Sequence, residues 1–212
     1  MTLKVLGINP TTGQRMIIGE GTSAGSLAEG SDARLAIYID STGSQQILTC
    51  LLAPGTAGLI LTSGTAYFVY LGRVVTVFVP KYVEFYVSTV GNGAQTAEIG
   101  FFSTPTSPNK SGQTISKIVS TGTVDALNGT GVKRNTNAFA TSVPAGTHLW
   151  AGIRTALAST QPTLWSFGMD MTQGFILRTA ASGALTGTGP WTGAIVAAAT
   201  GVTSPDLRGT LV

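Results

Sequence analysis

The chain has 212 residues, 43% of them hydrophobic and only 10% charged, with 12 Lys+Arg against 9 Asp+Glu and a formal net charge of +3. Charge is far below the roughly 25% usual in soluble domains, and the densest basic spot, Lys133-Arg134, is no clustered surface of the kind nucleic acid demands. No apolar run approaches the ~18 residues of a membrane helix, so the composition argues against nucleic-acid binding and membrane insertion and for a chain that buries surface against copies of itself or a partner.

In chain order, residues 1–34 read as an N-terminal arm and 35–212 as one domain, a boundary set by turn signals. TLKVLGI is a short strand, NPTTGQ a turn and RMIIGEG its hairpin partner. Gly21, Gly25 and Gly30, mixed with Ser and Ala, form an extended, permissive connector. The N-terminus has no secretory h-region, which predicts assembly in a cytosol. Cys50, the one cysteine, has no internal disulfide partner and no metal-site spacing around it, and reads as a small buried hydrophobe.

From Leu35 the pattern is β. AIYID opens the domain, and further strands are expected at 46–53, 65–70, 74–79, 82–90, 96–103, 114–121, 147–155, 164–171, 174–180 and 193–199. YVEFYVSTV sets Val83, Phe85 and Val87 on one face and Tyr82, Glu84 and Tyr86 on the other. THLWAGIRT opposes Leu149, Ala151 and Ile153 to His148, Trp150 and Arg154, and LWSFGMDM groups Trp165, Phe167, Met169 and Met171. Only AGIRTALAST and GAIVAAATG offer helix formers, as short exceptions between β-like flanks. Short strands separated by frequent turns predict an all-β antiparallel sandwich, with a jelly roll as the expected connectivity.

The candidate chemistry is sparse. His148, the single histidine, opens a strand without a G-x-S-x-G elbow, and reads as an edge or partly satisfied strand histidine. Glu84 and Glu98 lie on consecutive strands joined through GNG, where a hairpin would bring them together; both read as solvated-face residues. DALNGTG lacks the spacing of a calcium loop and reads as a turn with left-handed residues at Asn128-Gly129. No catalytic set, cofactor motif or metal set is expected. Tyr67, Tyr70, Tyr82 and Tyr86, on strand positions open to an outward orientation, and Trp150 and Trp191 are the candidate surface or interface contacts, since exposed aromatics stack on sugars or anchor subunits.

GINPTTGQRMIIGEGTSAGSLAEGSDARL, and within it Gly21 to Leu35, resembles the linker of tailed-phage fibre and appendage proteins, over about a tenth of the chain. That resemblance implies a virion structural protein assembled in the host cytoplasm. It implies a homotrimer attached to other virion proteins through residues 1–34, with a host surface glycan as a candidate ligand. The alternative is a capsid cement or decoration protein that stabilises the head lattice.

Overall fold

A computed structural model describes residues 3–8, 15–21, 36–39, 45–48, 57–74, 77–92, 95–105, 114–157, 160–169, 175–179, 184–192, 194–197 and 202–210. All regular structure among them is β. The strands are β1 (Leu3–Ile8), β2 (Arg15–Gly21), β3 (Ala36–Ile39), β4 (Gln45–Leu48), β5 (Ala57–Ile60), β6 (Ala66–Arg73), β7 (Tyr82–Thr89), β8 (Gln95–Thr104) and β9 (Thr114–Thr121). They continue with β10 (Gly131–Arg134), β11 (His148–Leu157), β12 (Thr163–Met169), β13 (Phe175–Thr179), β14 (Trp191–Thr192), β15 (Ala194–Ala197), β16 (Val202–Pro205) and β17 (Arg208–Thr210).

Every pairing is antiparallel. β1 and β2 form the expected hairpin, a two-stranded sheet of its own. A seven-stranded sheet runs β14-β9-β8-β11-β6-β13-β15. An eight-stranded sheet runs β16-β12-β7-β17-β4-β3, with β10 added to β7 and β5 to β12. Period-two alternation dictates how the two larger sheets meet. Tyr67, Val69 and Leu71 of β6, Ala97, Ile99 and Phe101 of β8, and Leu149, Ala151 and Ile153 of β11 pack in one core with Val83, Phe85 and Val87 of β7 and Leu164 of β12. The inner face of each sheet thus contributes to a shared sandwich core. The pairings establish this antiparallel two-sheet arrangement and stop short of a jelly-roll order.

The seven-stranded sheet is buried on its other face as well. Phe68, Tyr70, Phe102, Trp150 and Ile115 form a second cluster, capped by Leu185 and Trp191. The rings of Phe68 and Phe102 meet edge-on at 4.9 Å, and Phe102 and Trp191 at 5.4 Å. The cap is a strap, residues 184–192, held from beneath. Ser120 Oγ donates to the Leu185 carbonyl at 2.7 Å, Lys117 Nζ donates to the Thr186 and Gly187 carbonyls, and Glu98 Oε2 accepts from the Thr186 amide. Gly100 permits the close approach of β9 at its bulge, since a Cβ there would stand 2.3 Å from the Val119 carbonyl oxygen.

Several sequence expectations change. AGIRTALAST and GAIVAAATG supply β11 and β15 rather than helical turns, because neighbouring strands complete their backbone hydrogen bonds. Among the described residues of the strand expected at 74–79 there is one bridge, Phe78 to Val143, next to Pro80, which has no amide to donate. At the turn 127–130, Asn128 and Gly129 keep negative φ, and the positive φ falls on Gly131 (+109°), the first residue of β10. Cys50 and the connector at 22–35 lie outside the described residues.

Candidate functional site

The outward residues of β7, Tyr82, Glu84 and Tyr86, alternate with the core residues Val83, Phe85 and Val87 and are half-buried. Register aligns them with side chains on both flanking strands. Glu84 pairs with Arg134 of β10 on one side and with Arg208 of β17 on the other, a charged row across three strands. Arg134 Nη1 lies 3.8 Å from Glu84 Oε1, and its guanidinium sits 4.4 Å over the Tyr82 ring. Arg208 grips Asp206 with two bonds, Nη2 to Oδ2 at 2.7 Å and Nε to Oδ1 at 3.2 Å. Asp206 is itself fixed to β12, its amide donating to the Trp165 carbonyl.

One register step along β7, Tyr86 faces Val132 of β10 and stacks on Trp165 of β12, with centroids 3.6 Å apart and planes within 15°. Between the stack and the charged row is a hollow of about 60 Å³, lined by Glu84, Phe85, Tyr86, Val132, Trp165, Asp206 and Arg208. Val132 and Ile60 of β5 are large apolar residues left 59% and 60% exposed on these short strands. The result is a narrow aromatic and aliphatic ridge with paired acids and arginines alongside it.

Of the aromatic candidates from the sequence, only Tyr82 and Tyr86 belong to this surface. Tyr67, Tyr70, Trp150 and Trp191 are 5%, 4%, 0% and 4% exposed, so the expectation that they are surface contacts is corrected. Tyr67 faces the sandwich core, and the other three lie beneath or within the strap. Trp150 meets its polar requirement internally, Nε1 donating to Thr104 Oγ1 at 3.0 Å. Trp165, grouped by alternation with an apolar face, points outward instead, while Leu164 and Ser166 are buried. The second strand that makes the site, β10, carried no periodic signal: GVKR is four residues long and follows a turn.

Glu84 and Glu98 do not approach each other. The chain crosses from the eight-stranded to the seven-stranded sheet between β7 and β8, leaving the two acids on different outer faces. Each has its own arginine: Glu98 Oε1 lies 3.2 Å from Arg154 Nη1. His148 stands on a central strand between β8 and β6, not an edge, with Nδ1 3.0 Å from the Tyr70 hydroxyl. Burial, and then the Arg73 charge, hold its pKa below the ordinary value. Burial raises that of Tyr70 well above the phenol range, with Arg73 opposing. Among the described residues no group of three or more His, Cys, Asp or Glu could hold a metal ion.

Fold and surface together define an all-β antiparallel sandwich with one aromatic, charge-paired face. Comparison with family models, curated proteins and solved structures finds no match for this chain.

Proposed function

We propose that the protein is a non-enzymatic structural component of a tailed-phage virion. In this reading it is a homotrimeric surface appendage, anchored by residues 1–34 and presenting the body at 35–212 toward the host surface. The observation that carries the reading is the linker-like phrase from Gly21 to Leu35, which follows a self-paired hairpin and precedes an all-β body. A charge-poor composition adds support, because apolar and small polar surface favours burial between subunits. The cement alternative draws on the exposed Ile60 and Val132, which suit contact with a lattice neighbour.

Quantitative mass spectrometry of purified particles tests both readings. The appendage predicts a few to a few dozen copies per particle, and hundreds would transfer the protein to the capsid lattice. Absence from purified particles would overturn the virion reading altogether.

A further inference from the structure

The strand order of the seven-stranded sheet is incompatible with a flat shape. β14 and β15 stand at its opposite ends. At roughly 4.8 Å per neighbouring pair, a flat sheet would separate them by about 29 Å. Yet one residue, Gly193, lies between Thr192 and Ala194 in the chain, which holds their Cα atoms within about 7 Å. The rings lead to the same shape. Phe68 of β6 and Trp191 of β14 are separated in the order by β9, β8 and β11, and still their centroids are 6.1 Å apart. The sheet therefore curls round the second cluster until its two ends adjoin, with Phe68, Phe102, Trp150 and Trp191 inside the curl. Gly152 makes room for them, since a Cβ there would stand 2.6 Å from the Phe102 ring and 2.9 Å from that of Phe68.

The strap runs along β9 in the opposite sense: Leu185 is bonded to Ser120, Thr186 and Gly187 to Lys117, and Trp191 pairs with Ile115. Its attachment changes along that length. Trp191 and Thr192 pair with β9 as strand β14. From Leu185 to Gly187 the bonds to the sheet, among the described residues, come from side chains: Ser120 Oγ, Lys117 Nζ and the Glu98 carboxylate. Glu98 is in turn fixed by Arg154, while Lys117 is exposed, so water competes for the bonds it makes.

We propose that this seam is a latch, at which the strap and β14 part from β9 as a unit while the rest of the sheet stays paired. The one-residue link then pulls on β15, the edge strand at the other end of the curl. Separating β8 from β11 requires breaking a ladder ten residues long, whereas this joint opens when three side chains let go and two paired residues separate. Leu185 and Trp191 oppose opening because both are buried, so the closed state is the major one. The open state uncovers Phe68 and Phe102 and leaves the sandwich core intact. The device belongs to the fold and does not rest on the virion reading.

Hydrogen exchange read by mass spectrometry on the purified full-length chain tests the latch. Peptides covering 184–197 are expected to exchange at least about tenfold faster than those covering β8 and β11. Lys117→Met is expected to speed exchange at 191–197 by about fivefold, beyond the bonds that Lys117 itself makes, and to leave β8 and β11 unchanged. Ser120→Ala, which removes the bond to the Leu185 carbonyl, is expected to act in the same direction and carries the test if Lys117→Met fails to fold. Exchange of 184–197 at the rate of β8 and β11 would overturn the latch, because the strap would then open only with the whole fold. Acceleration confined to 185–187, equal acceleration of β8 and β11, or no acceleration in either folded variant would overturn it as well.

Discussion

Asn135 shows how much one buried amide can organise. It is fully buried at the end of β10, its Oδ1 accepting from the Val83 amide at 2.8 Å and its Nδ2 donating to the Lys81 and Asn137 carbonyls. Asn135→Ala strands these backbone groups in the interior and is expected to cost about 3 kcal/mol in urea denaturation. His148 provides a pH-dependent case. Its folded pKa lies below the unfolded one, so the unfolded chain binds the proton first as pH falls. The contribution is therefore fully present above the unfolded pKa of about 6.5 and is lost as pH falls toward the folded value. Urea midpoints measured from pH 7.5 down to 5 should fall more steeply in wild type than in His148→Gln. The ring is only partly buried, so the expected difference is small in size but fixed in sign.

At the scale of elements, the strap is the feature that decides the second core. Leu185 is fully buried and touches the aromatic cluster from a segment that lies largely outside regular strands. Leu185→Ala is expected to destabilise the fold by about 3 kcal/mol, read from urea denaturation, with a rise in dye binding as Phe68, Phe102 and Trp191 are uncovered. Gly100→Ala acts on the neighbouring pair of strands. Its new methyl would meet the Val119 carbonyl oxygen, a backbone atom that moves only if β9 moves, so a loss of about 3 kcal/mol is expected by the same measurement. Both effects lie where alternation carries no information. YVEFYVSTV announces its buried face through every second residue, whereas SGALTGTGP reads as a loop and still delivers a plug to the core. β5 and β10 escaped the pattern for a related reason: four residues make too short a periodic signal, and both exist as strands because β12 and β7 offer them partners.

For the whole molecule, the proposed trimer rests on the resemblance of the arm to phage linkers, while the few charges support burial between subunits without giving their number. Native mass spectrometry of the purified chain is expected to give three copies; a monomer at micromolar concentration would remove the homotrimer from the proposal. The exposed apolar residues of β5 and β10 are the places to look for change on assembly. If the outer face of β7 and β12 stays open in the trimer, Trp165 fluorescence remains quenchable in the assembled state.

Alternation in the sequence was enough to show that the described residues are all-β and antiparallel, where the hairpin lies, and which residues of β7 and β11 turn inward, because alternation is a local property. It did not determine which aromatics are exposed. Tyr70 and Trp150 stand on a face that a two-state pattern assigns to solvent, and only the strap with Leu185 and Trp191 puts them inside. Nor did it bring Tyr86 to Trp165, or Arg134 and Arg208 to Glu84, which are far apart in the chain. Those neighbours are products of cross-strand register, and register is decided by the packing of whole sheets rather than by any one strand's composition.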